Sequence, residues 1–342
     1  MFNQKVLVLL IIVTAVICLA YCINLFYFSS GLVQVRPISY ESPILQIRRF
    51  EINGHDIMVF LHMQKTGGTS FGKNLVRNLR LERTCHKVVS TKSRFMCKRP
   101  NSDEFWLYSR YSTGWICGLH ADWTTWTSCL PNVLKQRLSK DRLNKTKIFY
   151  ITLLRDPVDR FLSEFKHVQR GATWISSKFI CNNKPYNPPV CFKGANWSNV
   201  KLSEFLNCPY NLAFNRQTRM LANLTEIGCH NNDTKNFSKQ YGKAMLESAK
   251  RNLRSMAYFG LVEYQRESQY LFEKTFGLKF KKKFSQVPVN ETISSKAWAL
   301  LTPRHLLQTR KVTRLDRQLY SYAKALFFKR LKYIERLTKA MS

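Results

Sequence analysis

The stretch VFLHMQKTGGTSFGKNL, Val59 to Leu75, narrows the fold more than any other. An apolar run ends at Gln64 and Lys65, two adjacent glycines follow, and helical spacing then begins. Phe71, Leu75, Val76 and Leu79 recur at i, i+4, i+5 and i+8, the pattern of one buried helix face. A strand that turns through glycines into a helix start is an anion site. Helix N-termini present free N–H groups and partial positive charge, and glycine lets the backbone approach closely. The triphosphatase loop requires lysine after its second glycine; here Lys65 precedes both, so that chemistry is disfavoured. Two more apolar runs, KIFYITLLR (147–155) and AYFGLVEY (257–264), are each followed by helical sequence. Strands alternating with helices predict a parallel sheet covered on both faces.

Outside this frame, Val6 to Phe28 contains no charged residue. It is long enough to cross a bilayer as a helix. Its length favours an uncleaved anchor over a cleaved signal peptide. The expected organisation is a tail at 1–5, a membrane helix at 6–28, a stem at 29–52 and a luminal domain at 53–342. Eight cysteines follow the span, with six Asn-x-Ser/Thr sequons at Asn144, Asn196, Asn223, Asn232, Asn236 and Asn290. No Cys-x-x-Cys pair of zinc-ligand spacing occurs, so disulfides in an oxidising lumen are the better reading. Eight cysteines allow 105 pairings. The simplest joins neighbours: 85–97, 117–129, 181–191 and 208–229. Lys and Arg number 55 against 21 Asp and Glu, a field that favours a polyanionic partner. A luminal setting points to an acidic glycan and away from nucleic acid.

The loop QKTGGTS resembles the 5′-phosphosulfate loop of sulfotransferases, which use 3′-phosphoadenosine 5′-phosphosulfate (PAPS). LLRDPVDRFLSE supplies the Arg-plus-Ser pair of their 3′-phosphate grip, as Arg155 and Ser163. The segments FLHMQKTGGTSFG, STGWICGLHADWT, FYITLLRDPV, EFKHVQRGATW, CPYNLAFNRQTRMLA and YFGLVEYQRESQYLFEKTF narrow the likeness. They closely resemble the heparan sulfate 6-O-sulfotransferases, from about Val59 to Phe280. The resemblance implies a P-loop-like three-layer α/β sandwich around a central parallel sheet, with disulfide-stapled insertions, in a single-pass type II Golgi membrane enzyme.

It also implies in-line transfer of the PAPS sulfuryl group to the 6-hydroxyl of glucosamine in heparan sulfate, without a metal. Three tasks follow: proton removal, neutralisation of the leaving phosphate, and alignment. By the resemblance His120 is the general base and Lys65 the cation on the leaving group. His62, Met63, Gln64, Lys65, Thr66, Gly67, Gly68, Thr69 and Ser70 hold the 5′ side of PAPS. Arg155 and Ser163 hold the 3′-phosphate, and Gln286 belongs to a late PAPS loop. Arg110, Trp115, His167 and Trp174 match acceptor contacts, with Lys92 and Arg94 standing for a basic pair split in this chain. Trp115 and Trp174 equally fit core positions. The basic helix expected at 312–340 either binds substrate or covers the sheet, and a solvated face is the favoured reading. A sulfotransferase of another position specificity and a non-catalytic heparan-binding protein are the competing readings. The second leaves the joint presence of Lys65, His120, Arg155 and Ser163 unexplained.

Overall fold

In the computed structural model the described residues are 18, 50–89, 94–175, 177, 179–230, 237–285, 297–299 and 301–340. The chain divides into two compact units, Met1–Arg36 and Pro37–Ser342, and the description concerns the second. Its first half runs β1 (Ile57–Leu61), α1 (Gly68–Arg77), β2 (His86–Lys87), β3 (Phe95–Met96), β4 (Leu107–Tyr108), α2 (Trp123–Arg137), α3 (Lys140–Lys145), β5 (Ile148–Leu154) and α4 (Pro157–Gln169). Then come β6 (Phe179–Cys181), β7 (Lys184–Tyr186), α5 (Leu202–Asn207), α6 (Arg216–Leu221), α7 (Lys239–Ser255), β8 (Tyr258–Leu261), α8 (Gln265–Phe276), α9 (Pro303–Val312) and α10 (Arg314–Ala340).

Four strands form the expected parallel sheet, in the order β4-β1-β5-β8. Every residue of β1, β5 and β8 is buried, as strands covered on both faces require. Phe50 seals one end of the core: its ring meets Trp106, Phe149 and Phe276 edge-on at 5.3–6.1 Å. A second cluster, including Phe161, Phe165, Trp174, Trp197, Phe205 and Phe214, packs on α4. Helix α4 therefore buries two faces. Phe161, Leu162, Phe165 and Val168 enter this cluster, while Arg160, Ser163, Glu164 and His167 form a polar row at helical spacing.

The structure alters several sequence expectations. Residues 82–130, which hold four of the cysteines, contain β2, β3, β4 and the start of α2. A two-residue strand is too short for any period to reveal. Helix α2 carries Pro131 in its interior and has little amphipathic contrast, although Asp122 caps it by accepting the Thr125 N–H at 2.8 Å. The basic helix expected at 312–340 is α10, Arg314 to Ala340, and a further helix, α9, precedes it from Pro303 to Val312.

Two neighbour disulfides form, Cys85–Cys97 and Cys117–Cys129, but the other four cysteines pair as Cys181–Cys229 and Cys191–Cys208. Ring packing explains the exchange. The β6–β7 hairpin sets Phe179 and Tyr186 against His230, at 5.3 and 4.4 Å between centroids, which carries Cys229 to Cys181. Cys208 lies in the α4 cluster, against which Phe192 packs, leaving Cys191 beside it.

The membrane helix and type II topology are also corrected. Among the described residues no helix is long and apolar enough to cross a membrane. The longest, α10, has 27 residues but carries basic side chains along its whole length. Residues 6–28 lie outside the described residues, Cys18 excepted.

Candidate active site

At the end of β1 the chain leaves the sheet through His62 and Met63, both buried, and turns at Lys65 and Gly67. Lys65 has φ 65° and Gly67 φ 73°, left-handed conformations that cost little only at glycine. Gly67 is N-cap to α1, whose first turn contains no acidic residue. A Cβ on Gly68 would lie 2.4 Å from His62 Cδ2, so glycine is required for the helix to close on that ring. Thr66 Oγ1 donates to the Met63 carbonyl at 3.2 Å and tightens the loop. Thr69 and Ser70 remain exposed in the first helical turn, available to an anion there.

The second arm leaves β5. Arg155 is held by its backbone: its N–H donates to Gln217 Oε1 and its carbonyl accepts from Gln217 Nε2, both at 2.9 Å. The next N–H, of Asp156, donates to Glu263 Oε1 at 2.8 Å. The Glu263 Oε2 atom accepts the Tyr320 hydroxyl at 2.5 Å. Arg155 Nη1 reaches the Lys65 carbonyl at 3.4 Å, tying the two arms together. Ser163 is buried two turns along α4.

Beside the first arm lies a cleft of about 280 Å³ lined by Gln64, Arg110, Trp115, His120, His167 and Trp174, with Glu164 and Arg216. Larger cavities at Glu51–Gly54 and beside Lys281–Lys283 contain none of these groups. His120 has φ 53°, an uncommon left-handed conformation for a side-chain-bearing residue. Its Nδ1 lies 2.8 Å from the His62 carbonyl oxygen. A carbonyl only accepts, so Nδ1 carries the proton and Nε2 keeps its lone pair. Trp115 packs on the His120 ring at 4.7 Å, and Arg110 lies over the Trp115 ring at 5.3 Å. Trp174 both lines the cleft and packs edge-on against Phe192 and Trp197. Its Nε1 makes no hydrogen bond among the described residues.

Burial pushes His120 down to about 3; the Arg216 and Arg110 charges add to this, while the His62 bond and Glu164 oppose it. His62 is also pushed well down by burial, with His120 and Arg110 adding to the shift. Burial lowers Lys65 as well, against the pull of Glu164. Lys65 does not line the cleft, but its charge helps to lower His167, which does.

Arg94 stands near Gly114, with its Cζ 3.7 Å from where a Cβ would be, next to Trp115. Lys92 and Gln286 lie outside the described residues. Arg216, Gln217, Glu164 and Glu263 have no role that the sequence alone predicts. Arg216 Nε donates to Gln64 Oε1 at 2.6 Å, and its Nη1 pairs with Glu164 at 3.3 Å. Burial opposes the Glu164 charge, but Arg216 and Arg160 outweigh it and hold the carboxyl below its ordinary value. Arg216 and Gln217 fall inside CPYNLAFNRQTRMLA, yet no spacing in that segment marks them as partners of loops more than sixty residues away.

The sequence profile of the sulfotransferase family matches residues 48–323. Heparan-sulfate 6-O-sulfotransferase 1-B of Danio rerio is 50% identical over 300 residues, covering 86% of this chain and 72% of that protein. This chain belongs to the heparan-sulfate 6-O-sulfotransferase family. The Homo sapiens heparan-sulfate 6-O-sulfotransferase 1 is 48% identical over 307 residues, covering 88% of this chain and 73% of that relative. The family match spans both arms and the cleft.

Two outcomes are expected of this geometry. His62, His120 and His230 are all pushed down by burial, the last two to about 3. In the unfolded chain they take up protons near pH 6.5, whereas the folded protein keeps them neutral. Stability is therefore full above about pH 6.5 and falls as pH drops toward about 3, as urea melts across that range will show. Replacing Gln217 by leucine removes its two hydrogen bonds to the Arg155 N–H and C=O. The KM for PAPS should rise by about ten- to a hundredfold, from two lost buried hydrogen bonds, with the acceptor KM little changed. Steady-state kinetics with each substrate varied in turn checks this.

Proposed function

We propose that His120 is the general base, and Lys65 the leaving-group cation, of a sulfuryl transfer carried out between the two arms and the cleft. The reaction is the family's: the sulfuryl group of PAPS passes to the 6-hydroxyl of glucosamine in heparan sulfate. His120 Nε2 takes the hydroxyl proton, the freed oxygen forms a bond to sulfur, and the bond from sulfur to the 5′-phosphate oxygen breaks. The electron pair leaves on that phosphate, where Lys65 and the α1 N-terminus neutralise it. The products are the 6-O-sulfated chain, adenosine 3′,5′-bisphosphate and a proton on His120 that returns to water.

The observation that carries this reading is the His120–His62 hydrogen bond, which fixes the imidazole as the tautomer with a free Nε2. A base near 3 is weak in the free protein. Binding two polyanions offsets the Arg216 and Arg110 charges and so raises the imidazole, while burial, the larger cause of the shift, still holds it down. Arg155 and Ser163 take the 3′-phosphate, and residues 62–70 take the 5′ side. Arg110, His167, Trp115 and Trp174 supply the cations, ring faces and indole N–H that a sulfated, carboxylated sugar needs.

His120→Ala should lower kcat by about a hundred- to ten-thousandfold, the usual contribution of a general base, while adenosine 3′,5′-bisphosphate binding stays unchanged. Disaccharide analysis of heparan sulfate treated with the unaltered enzyme should place new sulfate on the 6-position. Persistent turnover in the variant contradicts the base; new sulfate elsewhere contradicts the acceptor.

A further inference from the structure

The two C-terminal helices hold charge in a way that neither the core nor the cleft requires. From Pro303 to Ala340 there are eleven Lys and Arg and two acidic residues. One cation, Arg330, is buried over the Phe259 ring and donates to the Met256 and Arg254 carbonyls. One acid, Asp316, is buried and accepts the Thr218 N–H and hydroxyl, both at 2.8 Å. That leaves ten exposed cations facing solvent with one exposed carboxylate, Glu335.

On α10 the exposed Arg314, Arg317, Lys324, Lys329, Lys332 and Arg336 fall within one arc of about 140° at 100° per residue, which also holds the single carboxylate Glu335. None of the six is in a salt bridge among the described residues. Arg314 and Arg317, Lys329 and Lys332, and Lys332 and Arg336 are like charges three or four residues apart, which destabilises a helix. Helical stability therefore does not account for the pattern, whereas a polyanion lying along the face would relieve it. The helix is about 40 Å long at 1.5 Å per residue. Its first turn adjoins the cleft wall: the Leu315 N–H donates to Asn215 Oδ1 at 2.8 Å, immediately before the cleft residue Arg216.

We propose that this face of α10 is a second binding surface for the acceptor polysaccharide, holding a segment of the same chain remote from the hydroxyl being sulfated. The proposal rests on the sulfotransferase reading above. Tethering one polymer at two places raises its effective concentration at the cleft without any new contact there. Long chains then bind better than fragments that span the cleft alone, and the advantage is screened by salt.

The test compares the full chain with Arg317→Gln/Lys324→Gln/Lys332→Gln and with a control of equal charge change, Lys201→Gln/Lys239→Gln/Lys243→Gln, at exposed positions outside this face. KM and kcat are measured at saturating PAPS for long heparan sulfate and for a hexasaccharide. The α10 variant should raise the KM for long chains by about fivefold or more, a part of the roughly hundredfold or greater gain that tethering can supply, with kcat and the hexasaccharide KM unchanged. The control should change neither. Equal KM shifts in both variants, no shift, or a raised hexasaccharide KM would overturn the proposal. So would loss of binding to phosphatidylserine vesicles with the long-chain KM unaltered. If the unaltered chain transfers no sulfate to the hexasaccharide, the sulfotransferase reading fails instead.

Discussion

The site depends on a close contact where β1 ends. Helix α1 begins so near the His62 ring that position 68 has no room for a Cβ. The ring is thereby held, stacked on Phe60 at 5.5 Å, and the His62 carbonyl is left to accept from His120 Nδ1. One steric constraint thus serves two functions. It sets the α1 N-terminus where the proposed anion site lies, and it fixes the proton on the far nitrogen of the proposed base. The same logic explains the left-handed backbone at Lys65 and His120, strained positions of a kind that functional sites hold in place through the surrounding structure.

Around this turn, buried charge sets the geometry. Glu164, Arg160 and Arg216 lie together with almost no exposure. Removing one member of such a group costs about 3–5 kcal/mol, because the partner charge is left buried. Helix α6 transmits the order of this cluster outward. Arg216 grips Gln64 in the first arm, Gln217 brackets Arg155 in the second, and Thr218 is tied to Asp316 of α10. Three consecutive residues therefore set the relation between the loops assigned to the two ends of PAPS. The apolar cluster behind α4 holds the opposite side of the same helix, so its polar row cannot rotate away from the cleft.

Much of this was legible in the chain itself. The three long apolar runs gave β1, β5 and β8, because fully buried parallel strands need uninterrupted apolar sequence. The glycine pair marked the turn from β1 into α1, and the motif around His120 supplied one of the residues that line the cleft. What stayed hidden depends on tertiary contact. Strand β4 is two residues long and exists because β1 has an open edge. The Cys181–Cys229 link follows from aromatic packing on His230, which cysteine spacing does not encode. Gln217 is an ordinary glutamine in sequence and becomes a backbone clamp only when the chain returns sixty-two residues after Arg155.

The central claim is that His120 is held neutral, protonated on Nδ1, with Nε2 free for the acceptor hydroxyl. Nitrogen NMR of ring-labelled histidine, with adenosine 3′,5′-bisphosphate and a heparan oligosaccharide bound, reads this directly. The account predicts an Nδ1–H tautomer at neutral pH, with a pKa raised above that of the free protein. A proton on Nε2, or an imidazole unaffected by the two ligands, would contradict it.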